Sequence, residues 1–205
     1  MNCPRPQALL FDFDGTLADT EPVHWACWRD TLAEVGIELE WEFYERNCVG
    51  LSEREFLNAI GATANPPQSA DELWPLYSIK VKRFAEFVAS RDIIPPKNRD
   101  LFNGLSEYLL GVVTSCIRAE VEPILKKENI LPFLKVSVYG DDVARLKPAP
   151  DPYLLALERL GVETALVFED SEAGMTSARA AGCQVVAVQR SVELPELVRH
   201  AIHFR

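Results

Sequence analysis

Two aspartates one residue apart, Asp12 and Asp14, follow the apolar run Ala8, Leu9, Leu10 and Phe11 near the start of the chain. Side chains at i and i+2 of an extended segment point the same way. Gly15 breaks the pattern, so both carboxylates would lean out from the C-terminal end of a strand. Two like charges held that close repel each other, and they either share a proton or share a cation. Further polar groups stand where other apolar runs end. Thr114 and Ser115 follow "LLGVV", Glu169 and Asp170 close "TALVFED", and Lys147 lies in "RLKPAPD", the loop after a third run.

The elements that must carry these groups form a recognisable series. "QALLFDF" (7–13), "LLGVVT" (109–114), "KVSVYG" (135–140), "TALVFED" (164–170) and "CQVVAV" (183–188) have the composition of core strands. Helical patterns separate the last four: "RAEVEPILKKENI", "DPYLLALERLG" and "SEAGMTSARAAG". Gly161 and Gly182 stand where helix stops belong, and Ser171 where an N-cap belongs. Strands alternating with helices of this length predict a Rossmann-like α/β core, a parallel sheet with helices on both faces. In such a sheet ligands bind outside the carboxyl ends of the strands, at the switch in strand order. The polar groups from distant segments would converge there.

Residues 20–92 break this rhythm and are largely helical in pattern. Trp25, Trp28, Leu32 and Val35 recur at helical spacing, and Gly36 ends the run. "SEREFLNAIG" (52–61) opens with the capping-box pair Ser52 and Glu55, and 73–90 reads as a further helix starting at Pro75. The linkers "LADTEP" (17–22) and "SRDIIPPKN" (90–98) bracket this block, and "GATANPPQSAD" (61–71) reads as a loop. The expected organisation is a core domain of residues 1–18 and 94–205, with a helical cap domain of residues 19–93 inserted after the first strand.

Composition bounds the partners. The 205 residues are 48% hydrophobic and 25% charged, as in a globular protein with a full core. A formal net charge of -10 argues against nucleic acid, whose phosphates require clustered Lys and Arg. No run approaches membrane-span length, and the opening residues lack the n- and h-regions of a secretory signal. The expected location is cytoplasmic, with no membrane partner. The five cysteines, Cys3, Cys27, Cys48, Cys116 and Cys183, are widely spaced without a C-x-x-C, so reduced thiols are expected. Cys116 reads as an inert thiol, His200 and His203 as structural or solvated, and the Trp25/Trp28 stripe as cap core.

Taken singly, each polar group has an ordinary explanation. Asp-x-Asp can be turn chemistry, Lys147 a surface lysine, and Glu169–Asp170 a favourable helix N-terminus. Together and in order, "FDFDGT", "VVTS", "LKPAPDPY" and "VFEDSEAG" resemble the four motifs of the haloacid dehalogenase superfamily, in its phosphatases with a helical cap. The resemblance covers nearly the whole chain and lies in the β-phosphoglucomutase-like and sugar-phosphate phosphatase group. It implies the sheet order 5-4-1-2-3.

The resemblance also implies roles. Asp12 is the nucleophile, forming an aspartyl-phosphate, and Asp14 protonates the leaving alcohol and then activates water. Mg²⁺ is held by Asp12, the backbone carbonyl of Asp14, and Asp170, with Glu169 joining directly or through water. Lys147 neutralises charge beside Asp12, while the Thr114 hydroxyl and the Ser115 amide bind phosphoryl oxygens. Thr16 supports the loop. The expected partner is a small phosphomonoester, sugar-like, and the expected oligomeric state is a monomer or weak dimer. Candidate substrate contacts in the cap are Thr20, Glu21, His24, Glu53, Arg54 and Lys80 or Lys82, with Thr20, His24 and Arg54 the principal ones. "DTEPVH" also resembles β-phosphoglucomutases, so a phosphosugar mutase is the alternative. Those mutases carry Arg after Gly-x-Ser, where "GLSER" places Glu53, with Arg54 one residue later. A second departure is "PPKN" (95–98) where relatives have Pro-Gly, which predicts a changed turn.

Overall fold

Ala8–Phe11 (β1) is fully buried along its length, as a central strand covered on both faces must be. It pairs in parallel with Leu109–Val113 (β2) on one side and Leu166–Glu169 (β4) on the other. Leu134–Val138 (β3) and Gln184–Ala187 (β5) complete a five-stranded parallel sheet of order β3-β2-β1-β4-β5. This is the expected order, and its switch point lies between β1 and β4. The structure is a computed structural model that describes residues 6–203, apart from the His203 side chain; Cys3 also lies outside it.

In chain order the helices are α1 (Glu21–Ala33), α2 (Trp41–Asn47), α3 (Glu53–Gly61), α4 (Ala70–Leu73), α5 (Pro75–Ser90), α6 (Pro96–Leu101), α7 (Arg118–Lys127), α8 (Asp151–Leu160), α9 (Glu172–Ala180) and α10 (Leu194–His203). Thr20–Arg91 form one compact unit, which is all helical, and the other described residues form a second around the sheet.

In the sheet unit the alternation along β1 sorts its side chains between two faces. Ala8 and Leu10 join Val167 in a cluster with Tyr153, Ala156 and Leu157 of α8 and Ala178 of α9. Phe11 turns the other way, stacking on Phe168 at 5.2 Å and meeting Phe102, just beyond α6, at 5.5 Å. Both faces are therefore covered, which explains why the strands read as continuous apolar runs.

In the helical unit Trp28 and Leu32 of α1 pack with Ile37, Leu39, Tyr44, Phe56, Leu57, Ile60 and Leu73. Ser52 caps α3 as expected: its hydroxyl accepts from the Glu55 amide, and the Glu55 carboxylate accepts from the Ser52 amide at 2.9 Å. Helix α1 stops at Ala33, so Val35 is exposed rather than part of the stripe.

Helices α2, α4, α6 and α10 are additions to the sequence reading. The first two span seven and four residues, too short to show a period. α6 arises where "PPKN" departs from Pro-Gly: Pro96 occupies the first helical position, where its fixed φ and missing N–H cost nothing. α10 did carry a signal, with buried Leu194, Val198 and Ala201 at helical spacing. Cys27, Cys48, Cys116 and Cys183 are thiols, and no helix among the described residues is long and apolar enough to cross a membrane.

Candidate active site

The residue after β1 and the last residue of β4 meet at the switch point. The Asp12 amide donates to the Phe168 carbonyl at 3.0 Å, which continues the β1–β4 ladder and seats Asp12 beside Glu169. Lys147 comes from the loop between β3 and α8. Its ammonium donates to Asp12 Oδ1 at 2.5 Å, Glu169 Oε1 at 2.6 Å and the Val113 carbonyl at 2.9 Å. The lysine side chain is only 5% exposed, so three strand ends converge on one buried cation.

Glu169 is fully buried and fully engaged. Oε1 accepts from Lys147 and from the Tyr153 hydroxyl at 3.1 Å; Oε2 accepts from the Ser171 amide and hydroxyl, each at 3.0 Å. Its acceptor positions are thus taken by the protein. Ser171 in turn accepts the Gly174 amide at 3.0 Å, the expected N-cap of α9. Asp170, the next residue, is more open, and its Oδ1 accepts from the Thr16 hydroxyl at 3.3 Å. Asp14 is partly exposed; its Oδ2 accepts from the Thr114 hydroxyl at 3.2 Å, and Thr114 accepts the Cys116 amide at 3.0 Å. Ser115 is exposed beside it.

Charge is unbalanced here. Four carboxylates, Asp12, Asp14, Glu169 and Asp170, act on one another around the ammonium of Lys147. Burial raises the Asp12 carboxyl well above its ordinary range, and Glu169, Asp170 and Asp14 add to this against the opposing pull of Lys147. Burial first, then Glu169 and Asp14, push Asp170 up to about 7. Burial works against the Lys147 charge, but Asp12, Tyr153 and Glu169 outweigh it and hold the ammonium protonated. Oxygens of Asp12, Glu169 and Asp170 lie within 4.8 Å of one another. An all-oxygen donor set with surplus negative charge fits a hard divalent cation.

Two glycines make this packing possible. Gly15 sits at φ +75°, and a Cβ there would stand 2.0 Å from Asp170 Oδ2. A Cβ on Gly174, in the first turn of α9, would stand 1.6 Å from Glu169 Oε1. The sequence reading gave no role to Gly174 or to Tyr153, although both lie inside the motifs. A glycine in a helix's first turn was the available signal; nothing marks a tyrosine whose hydroxyl reaches a carboxylate 16 residues away.

The candidates in the helical unit are not grouped in the same way. Thr20 is buried at the start of α1, and His24 is buried with its ring stacked 4.4 Å from Phe84. Arg54 is exposed, paired with Asp71 at 2.6 Å and lying over the Trp74 ring. The inward charge pair is instead Glu53 and Lys80: Lys80 is fully buried and bonds Glu53 at 2.9 Å, and Trp28 donates to the same carboxylate at 3.0 Å. Lys82 is exposed on the far side of that choice. Glu21 accepts from the Tyr44 hydroxyl at 2.7 Å.

Known proteins resemble the chain over most of its length. The family described as haloacid dehalogenase-like hydrolase matches residues 9–188. Protein CbbY of Rhodobacter capsulatus is 36% identical over 200 residues, covering 88% of this chain and 84% of its own length. The phosphorylated carbohydrates phosphatase of Thermotoga maritima is 31% identical over 183 residues, covering 87% and 82%. A crystal structure of a CbbY variant from Rhodobacter sphaeroides in complex with xylulose-(1,5)bisphosphate aligns with a TM-score of 0.76 at 29% identity, covering 89% of this chain and 87% of that one. Matched over most of its length, the chain belongs to the haloacid dehalogenase-like hydrolase family.

Proposed function

We propose that the protein is a Mg²⁺-dependent phosphatase of a small, sugar-like phosphomonoester, working through an aspartyl-phosphate on Asp12. The observation that carries this reading is the buried Lys147 bridging Asp12 and Glu169 while Asp14 is held apart on Thr114. That difference supports one carboxylate as the attacking group and the other as the group that moves a proton. The names of the matched carbohydrate phosphatase and of the bisphosphate complex support a sugar-like substrate.

In this reading Asp12 attacks phosphorus as Asp14 delivers a proton to the departing alkoxide, which leaves as the alcohol. Asp14, now ionised, takes a proton from water as that water attacks the acyl phosphate, releasing phosphate and restoring Asp12. Lys147 favours the ionised form of Asp12 against burial and the neighbouring carboxylates, and stabilises the transferring phosphoryl group. The Thr114 hydroxyl, which donates to Asp14 in the free site, turns its one proton to a phosphoryl oxygen when substrate binds, beside the Ser115 amide. Asp12, Asp170 and the Asp14 carbonyl would hold Mg²⁺, and Glu169, saturated by protein donors, would order them from behind. Bound there, the cation removes the repulsion between a phosphate dianion and the carboxylates. The helical unit acts as a cap in this proposal, and Thr20, His24 and Arg54 are its candidate substrate contacts.

The test is phosphate release from hexose phosphates, fructose 1-phosphate, phosphoglycolate and β-glucose 1-phosphate, with Mg²⁺ and with EDTA. Release that EDTA abolishes, strongest on a sugar phosphate, is expected. Bisphosphate-primed conversion of β-glucose 1-phosphate into glucose 6-phosphate with little free phosphate would overturn hydrolysis in favour of a mutase.

A further inference from the structure

Asn98 lies in α6, in the "PPKN" segment, and is fully buried. Its Nδ2 donates to two backbone carbonyls, Leu17 at 3.0 Å and Ser191 at 2.8 Å. Its Oδ1 has no protein partner. The reversed amide would set an acceptor against two acceptors, so chemistry fixes this orientation. The unmatched acceptor is unfavourable for stability, whereas an apolar side chain of similar size would leave the Leu17 and Ser191 carbonyls without this donor. What the amide supplies is a pair of anchors.

One anchor lies on the turn that carries Asp14, and the other on a segment hydrogen-bonded to the strand end that carries Glu169. Leu17 belongs to the tight turn after β1, in which the Leu17 and Ala18 amides donate to the Phe13 carbonyl at 3.0 and 2.9 Å, and the Gly15 amide to Ala18 at 2.8 Å. That turn holds Asp14 as a unit, so fixing the Leu17 carbonyl fixes where the Asp14 backbone stands. Ser191 follows β5 by four residues, in the segment whose Val188 amide donates to the Glu169 carbonyl at 2.8 Å. One carboxamide therefore ties the Asp14 turn to the strand end that carries Glu169.

We propose that Asn98 is a positioning residue that sets the Asp14 turn against the Glu169 strand end by holding the Leu17 and Ser191 carbonyls. It does not touch the reacting groups. Its effect on turnover rests on the phosphatase reading; its effect on the turn does not.

The experiment compares wild type, Asn98→Leu and Asn98→Ala with Leu157→Ala, a core truncation in α8 that serves as a destabilised control. Hydrogen exchange is followed in peptides covering residues 9–19 and 109–138, and turnover of p-nitrophenyl phosphate with Mg²⁺ is measured well below each melting midpoint. In Asn98→Leu, amides of residues 14–18 should exchange about ten-fold faster while those of β2 and β3 stay as in wild type. Its kcat should fall at least ~10-fold with KM little changed, since a misplacement of ~1 Å can cost ~100-fold. Asn98→Ala leaves room for water to reach both carbonyls and should fall between, and it serves if Asn98→Leu does not fold. Leu157→Ala should keep kcat. Unchanged exchange at 14–18 would overturn the anchor. Faster exchange with wild-type kcat, or an equal kcat loss in Leu157→Ala, would overturn the positioning role. Inert wild type would count against the phosphatase reading, and the exchange arm would then decide the anchor alone.

Discussion

Lys147 carries more of the site than any other single residue, because one ammonium offsets repulsion among four carboxylates. Replacing it leaves buried acids facing one another without a cation. Lys147→Met is therefore expected to lower kcat by at least ~100-fold, the scale of losing one donor to developing charge. It should also lower stability near neutral pH by roughly 3 kcal/mol, as breaking a buried ion pair does. Steady-state kinetics and urea unfolding check both; a variant within ten-fold of wild type would show that Asp12 does not depend on the lysine. Tyr153 acts one bond further out, through Glu169. Tyr153→Phe should cost about 1.5–3 kcal/mol, the range of a bond to a charged acceptor, and less than ten-fold in kcat. At this scale the sequence identified the charged groups by type and spacing. It could not reveal that Glu169 is saturated by Lys147, Tyr153 and Ser171, because that depends on which side chains the fold brings within 3 Å or so.

The strand ends and the first turn of α9 work as elements. Alanine normally stabilises a helix position held by glycine by about 1 kcal/mol. At Gly174 the added Cβ would meet the Glu169 carboxylate at 1.6 Å, and the sign should reverse. Gly174→Ala is expected to lower the melting midpoint and activity together; a more stable, fully active variant would mean that Glu169 has another seat. The five strands and three of the core helices were legible because apolar runs alternating with helical periods leave few topologies. The strand order was not contained in those runs and came from the motif resemblance. α2 and α6 escaped notice for opposite reasons: α2 is too short for a period, and the prolines that begin α6 also begin linkers. The inward pairing of Glu53 with Lys80, with Arg54 turned outward to Asp71, was equally invisible, since neighbouring helix residues differ by about 100° in direction.

Over the whole molecule, charge links cation binding to stability. Without a cation the folded protein holds Asp170 protonated up to about 7, owing to burial and to Glu169 and Asp14. Asp12 is raised in the same direction, and Lys147 opposes both. The unfolded chain releases those protons near pH ~4. The native state then binds more protons than the unfolded state, so this contribution to stability falls as pH rises from about 4 to about 7. A divalent cation favours the ionised carboxylates and should reverse the trend. The rise in melting midpoint on replacing EDTA with Mg²⁺ should be larger near pH ~8 than near pH ~5, where protons compete for the same oxygens. Equal shifts at both pH values would place the cation away from Asp12 and Asp170.

Covalent chemistry at Asp12 is open to rapid acid quench. The enzyme is mixed with a ³²P-labelled form of its most rapidly hydrolysed panel substrate and Mg²⁺, quenched within one turnover, and digested. A hydroxylamine-labile label is expected on the peptide containing Asp12, and neither label nor turnover in Asp12→Asn. Turnover without labelled protein, or an Asp12→Asn variant that still releases phosphate at the wild-type rate, would contradict it.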